Sequence, residues 1–183
     1  SGRNLRTLAL RLCGAVPDLQ CVLPDLRHHG ESQGLTPPDT LEACADDLMR
    51  LAAHLGLAPW AIIGHSFGGT SVAIALAEGA PAAGGILLDP AAVGSDLPAY
   101  LRKVRRPVMV LGADEHVSVA RNRDYFFRYV NAGIGEVSIR GASHEDAQYP
   151  SPAGTTSEDM QVSFASALTV ASISLAATGQ FDY

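Results

Sequence analysis

Trp60-Ala61-Ile62-Ile63-Gly64-His65-Ser66-Phe67-Gly68-Gly69 decides the reading of this 183-residue chain. Ala61, Ile62 and Ile63 form a short apolar run that reads as a buried strand. Residues 70–78, rich in Ala, Val, Ile and Leu, read as a helix. Between them stands Gly-x-Ser-x-Gly. A serine on so sharp a strand-to-helix turn takes a strained backbone conformation that lifts its hydroxyl clear of the sheet. Gly64 and Gly68 are expected to remove side chains that would clash where strand and helix nearly touch. Ser66 also meets a helix N-terminus, whose free N–H groups and dipole favour a developing negative charge. In a chain with 18 glycines the bare pattern carries little weight against a plain Gly-rich turn. Strand before, helix after and Gly69 behind give it its force.

Downstream, residues 84–89 form a second apolar strand ending in Asp89, followed by a short helix over 96–104. Residues 107–112 form a third strand, leading into Ala113-Asp114-Glu115-His116. A helix over 119–130 carries Tyr125, Phe126, Phe127 and Tyr129. Residues 135–140 give a last strand, after which comes Gly141-Ala142-Ser143-His144, and residues 158–177 give a final helix whose serines and Gln161 mark it as amphipathic and packed. Upstream, Leu5, Leu8 and Leu12 set a helix over 3–13, and residues 20–23 read as a strand. A polar segment, 24–32, leaves it. Asp39 or Thr40 can cap the next helix, with Asp39 and Glu42 spaced as a capping box. Its stripe is Leu41, Ala45, Leu48, Ala52 and Leu55, and Gly56 stops it.

Short apolar strands alternating with helices imply a single α/β domain over 1–183, with a mostly parallel sheet covered on both faces. Ligands in such sheets bind beyond the carboxyl ends of the strands. Ser66, Asp89, Asp114 and His144 all lie just past such an end, and their convergence is the argument for an enzyme. The charge of −6 argues against nucleic acid or an anionic membrane surface as the main partner. Lys103 is the sole lysine among 13 basic residues, which is no binding patch. No transmembrane segment and no signal-peptide pattern is read, and compartment and oligomeric state stay open, with a slight lean to the cytoplasm. Cys13, Cys21 and Cys44 lack metal-ligand spacing and read as free thiols. His28 and His29, adjacent on an extended segment, point to opposite faces, so no metal motif stands. They read as the polar edge of the pocket or as partners for Asp25.

The elbow, an acid after a later strand and a histidine after the last make the chain resemble the α/β-hydrolases, which use the order Ser…Asp…His. Ser1-Gly2-Arg3-Asn4 and Asp25-Leu26-Arg27-His28-His29-Gly30-Glu31-Ser32 resemble esterases related to cofactor-free haloperoxidases. Leu88-Asp89-Pro90, Asn122-Arg123-Asp124-Tyr125-Phe126-Phe127 and Gly141-Ala142-Ser143-His144 are more similar to cutinase, polyester-hydrolase and chlorophyllase-like proteins. The resemblance implies an α/β-hydrolase fold without its first strands and without a lid domain, as in a piece of a larger hydrolase. The open sheet edge is then expected near residues 20–23. The family's His-Gly oxyanion loop would lie ahead of Ser1, leaving the Phe67 backbone N–H as the one donor.

The implied activity is carboxylic ester hydrolysis through an acyl-enzyme, without a cofactor or metal, on a small or polymeric ester. Ser66 is the nucleophile and His144 the base. Asp114 is the acid by its position along the chain, with Asp89 as the alternative and Glu115 and His116 as loop residues. His65 and Tyr149 are expected to line the substrate site. Tyr100, Tyr125, Phe126 and Phe127 are further candidates, although the last two also suit core packing. The stretch between Asp89 and Pro107 is too short for a helical lid, so the site should be open. Two competing readings are an inactive or truncated hydrolase-fold binding module, and perhydrolase or haloperoxidase chemistry on the same residues.

Overall fold

The structure, a computed structural model, describes residues 2–57, 61–114, 117–148 and 157–181, with nothing said of the side chains of 2 and 117–121. Four strands, β1 (Ala61–His65), β2 (Gly84–Leu88), β3 (Val108–Ala113) and β4 (Ile134–Ile139), form one sheet. All three pairings are parallel and the strands lie in chain order. Each connection therefore steps to the next strand and carries its helix back over the sheet: α3 (Phe67–Ala77), α4 (Leu97–Lys103) and α5 (Val117–Tyr129). Ahead of β1 lie a 3-10 turn over Gly2–Leu5, α1 (Arg6–Ala15) and α2 (Leu41–His54). After β4 come a 3-10 turn over His144–Ala147 and α6 (Glu158–Thr178).

Alternation along the strands decides which helix covers which face. Ile86, Leu88, Met109 and Leu111 pack against Leu8 and Leu12 of α1 and Phe164, Leu168 and Ala171 of α6. Leu87, Val108 and Val110 face the other way, onto Val72 and Leu76 of α3, Leu97 and Leu101 of α4, and Phe126 of α5. β2 and β3 are buried along their whole length, which is why they read as unbroken apolar runs. α3 is buried from Gly69 to Leu76, because α2 covers its outer side through Ala45. Helix α6 is long and apolar enough, at 21 residues, to cross a membrane by length and composition. Here Phe164, Ala165, Leu168, Ala171 and Leu175 pack it into the core.

Three expectations need correction. Residues 20–23 form no strand; Val22 and Leu23 are 52% and 39% exposed. A strand is a relation between two chains of backbone, and residues 20–23 pair with no strand of the sheet, a cavity lying between them and β1. Among the described residues β1 is therefore the edge strand on this side of the sheet, and its apolar residues are half-buried rather than buried. Residues 24–36 are instead held by polar contacts. Asp25 accepts from Glu31 N–H at 3.0 Å, and Arg27 grips Asp47 of α2 with two bonds of 2.9 and 3.0 Å. The α2 cap is Thr40, whose hydroxyl accepts from Ala43 N–H at 3.2 Å. Asp39 is occupied by His28 and closes no box.

The third correction concerns the elbow glycines. A Cβ on Gly64 would lie 2.3 Å from Gly68 O and 2.4 Å from Gly68 C, so strand and helix touch backbone to backbone there. Gly69 is also constrained, with Pro90 Cβ at 3.0 Å, whereas at Gly68 the nearest atom is Leu26 Cδ1 at 4.0 Å. The glycines required by close approach are thus 64 and 69. Gly64→Ala is expected to cost about 3 kcal/mol, the range for forced overpacking. A urea midpoint that falls accordingly, with Gly68→Ala far milder, checks it.

Candidate active site

The carboxyl ends of β1 and β2 each carry a non-glycine residue with positive φ. Ser66 takes φ 55 and ψ −122, and Asp89 takes φ 41. A non-glycine residue at positive φ costs about 1–3 kcal/mol and survives only where the surroundings hold it. For Ser66 the surroundings do. Its N–H bonds Leu88 O at 3.1 Å, and its C=O accepts from Gly69, Thr70 and Ala91 N–H at 3.0 to 3.3 Å. Helix α3 starts at the very next residue, so the Phe67 N–H begins the set of donors without an intrahelical acceptor.

His144 reaches both. Its Nε2 accepts the Ser66 hydroxyl at 3.0 Å, and its Nδ1–H donates to Asp89 Oδ2 at 2.6 Å. The other Asp89 oxygen accepts from Ala113 N–H at 3.0 Å, and the carboxylate is fully buried. One carboxylate therefore fixes the end of β3 and the imidazole together. The bond from Asp89 raises the His144 pKa above its ordinary 6.5, outweighing a burial effect that lowers it. The ring keeps 29% of its surface exposed, so this run of groups ends at solvent.

Asp114 does not meet His144. Its exposed carboxylate accepts from Gly141 N–H instead. The histidine that touches Ser66 is paired with the acid at the end of β2, while the acid at the end of β3 is turned to Gly141. Reading along the chain favours Asp114; the structure sets Asp89 against His144 instead.

His65 lies under His144, ring centroids 4.5 Å apart. Its Nε2–H donates to the His144 carbonyl at 2.9 Å. Burial first, and then the neighbouring His144, push its pKa down to about 4, so it holds His144 as a neutral ring. Asp146 was missed from sequence. Buried, it accepts from Ser143 N–H at 2.8 Å, Ser143 Oγ at 2.9 Å and Ser157 N–H at 2.7 Å, and so shapes the turn that presents His144. The signal was present, since Ser143-x-x-Asp146 is a capping-box spacing.

A cavity of about 1150 Å³ opens at Ser66 and runs along the outer edge of β1 towards α1 and α2. Its lining is mainly apolar and includes His65, Phe67, Leu23, Leu26 and Ile63. His28 and His29 line it as well, and His28 is hydrogen-bonded to Asp39. Tyr149 lies outside the described residues. Tyr100, Tyr125, Phe126 and Phe127 do not line the cavity, and Phe126 is wholly core. Among the described residues no group of His, Cys, Asp and Glu has the arrangement to hold a metal.

A family described as "Alpha/beta hydrolase family" matches residues 4–174. Lipase LipV of Mycobacterium tuberculosis (strain ATCC 25618 / H37Rv) is 40% identical over 83 residues, 44% of this chain and 31% of the lipase. The match thus spans under a third of that relative. Of the solved structures, the lipase-esterase related protein from Clostridium acetobutylicum ATCC 824 has a TM-score of 0.66 at 16% identity, over 92% of this chain and 89% of that one. Dienelactone hydrolase from Anabaena variabilis ATCC 29413 has a TM-score of 0.55 at 19% identity, over 70% and 58%. At such identities the structural likeness speaks for the fold alone.

Proposed function

The chain belongs to the alpha/beta hydrolase family, and from that premise we propose that it cleaves carboxylic esters through a serine acyl-enzyme. The observation that carries this reading is the unbroken run of hydrogen bonds from Asp89 through His144 to Ser66. In the proposed reaction Ser66 Oγ attacks the ester carbonyl while His144 Nε2 takes its proton. His144 then gives that proton to the departing alcohol. Asp89 keeps the Nδ1–H tautomer in place and stabilises the imidazolium. The Phe67 N–H, first in α3, donates to the carbonyl oxygen as it gains charge. Water then attacks the acyl-serine by the same proton path and frees the acid. The apolar cavity beside Ser66 suits the hydrocarbon part of an ester, and the exposure of His144 suits the entry of water.

The test is chemical. Acid-quenched protein incubated with p-nitrophenyl acetate should carry an acetyl group on the peptide containing Ser66, with a nitrophenol burst matching the enzyme concentration. Parallel incubations with acetate and hydrogen peroxide measure peracid formation, the perhydrolase alternative. Protein that yields neither acyl-serine nor turnover overturns the enzyme reading and leaves a binding module.

The same reading fixes a pH dependence. The base works only when neutral, and Asp89 raises the pKa at which His144 becomes so. Activity is therefore lost as pH falls through that raised value, and kcat/KM should rise along a single limb centred above 6.5. His65, ionising near 4, adds no second limb near neutrality. A limb below 6.5 would exclude His144, paired as it is here, as the base.

A further inference from the structure

Two of the three cysteines meet. The Cys13 thiol, on α1, donates to Cys21 Sγ at 3.4 Å, and both side chains are partly exposed. The chain reversal that follows α1 produces this contact. Val16 N–H bonds Leu12 O at 3.0 Å, Leu19 N–H bonds Val16 O at 3.4 Å, and Asp18 takes φ 62 between them. The chain doubles back and lays Cys21 against the last turn of the helix it has just left.

We propose that Cys13 and Cys21 form a reversible disulfide that closes this reversal, a modification site independent of the Ser66 chemistry. A disulfide needs about 2.05 Å between sulfurs, so the pair must close by roughly 1.4 Å. Cys21 can supply that movement because residues 19–26 belong to no helix or strand, so no ladder is broken. Cys44 is a built-in control: it is buried, and the groups that act on it are Arg27, Asp47, Ser71 and Asp39, with neither of the other cysteines among them.

The oxidant is a low-molecular-weight disulfide such as oxidised glutathione. Burial pushes the Cys21 pKa up to about 11, and because the thiolate is the attacking form the proposed sequence begins at Cys13. The Cys13 thiolate displaces one glutathione thiolate and forms a mixed disulfide. Cys21 then gives its proton to solvent, and its sulfur displaces the second glutathione from Cys13. Two protein thiols are oxidised, one small disulfide is reduced to two thiols, and no other reactant enters.

The link would tie down one wall of the cavity beside Ser66. Cys21, Leu23 and Leu26 line it, and two residues beyond Cys21 comes Leu23, on the way to Arg27, which is already held to Asp47 of α2. Oxidation would fasten the free end of the same segment to α1.

The protein, equilibrated in glutathione buffers of increasing oxidation and quenched with acid, is read by intact mass and by peptide mapping without reduction. The expected result is a loss of two hydrogens per chain, one linked peptide pair joining Cys13 to Cys21, and Cys44 free. Cys44→Ser should oxidise as the parent does, whereas Cys13→Ser and Cys21→Ser should accept at most one glutathione at the remaining partner. Wild-type protein, once linked, should melt several degrees higher than when reduced. Absence of the two-hydrogen loss at every glutathione ratio overturns the proposal, as does a link through Cys44 or between chains. Should either single-serine variant fail to fold, the maps of the parent and of Cys44→Ser decide alone.

Discussion

Ser66→Ala is expected to lower kcat on an activated ester by about six orders of magnitude, the scale seen when a serine nucleophile is removed. That is roughly 8 kcal/mol of transition-state stabilisation at 1.36 kcal/mol per decade. The fold should be indifferent to the change. Among the described residues the hydroxyl's partner is His144 Nε2, whereas the backbone of residue 66 is held by Leu88, Gly69, Thr70 and Ala91 through groups that alanine also possesses. Alanine and serine pay the same penalty at φ 55, so melting should shift by no more than a degree or two. A fluorophosphonate probe should label the parent and leave the variant unmarked. Hydrolysis or labelling that survives in the variant, with melting unchanged, would move the nucleophile elsewhere and end the proposal as written.

What could be read in the chain was whatever depends on neighbours in sequence. The positions of Ser66 and His144 follow from strand-end and turn signals a few residues long. β2 and β3 announce themselves as unbroken apolar runs because both faces are covered. What failed depends on neighbours in space. Residues 20–23 carry strand-forming side chains, yet a strand also needs an edge to bond, and that partner is no property of the segment. Asp114 and Asp89 look alike along the chain, and they part only in space, where Asp89 meets His144 and Asp114 meets Gly141. Gly68 and Gly69 are likewise equivalent in sequence, and the path of Pro90 beneath the helix decides which one is crowded. Thr40 takes the cap for which Asp39 is equally suited by sequence, and His28 bonds Asp39 across the loop.

Asp89→Asn is expected to reduce kcat by about four orders of magnitude, the scale set when the acid of a serine triad becomes an amide. Asp89 is fully buried, so each hydrogen-bonding group there must find a partner. One Asp89 oxygen accepts from Ala113 N–H and the other from His144 Nδ1–H. An asparagine has a single carbonyl oxygen, and the N–H of Ala113 requires it. The amide NH₂ then faces His144 Nδ1, which can satisfy it only as an acceptor, so the ring proton moves to Nε2. In that tautomer Nε2 donates to the Ser66 hydroxyl and cannot take its proton. The raised pKa of His144 is lost as well, because its leading cause is the Asp89 bond, so the acid limb of any residual activity should move to lower pH. Asp114→Asn is the matched comparison. Its carboxylate is exposed and bonds Gly141 N–H, a contact an amide oxygen can replace, so activity should stay within about threefold and stability within roughly 0.5 kcal/mol. Steady-state kinetics and the pH profile of both variants, with melting temperatures as the check on folding, settle the assignment. An active Asp89→Asn beside a dead, folded Asp114→Asn would return the acid to the end of β3 and would require Asp114 to leave Gly141 for His144.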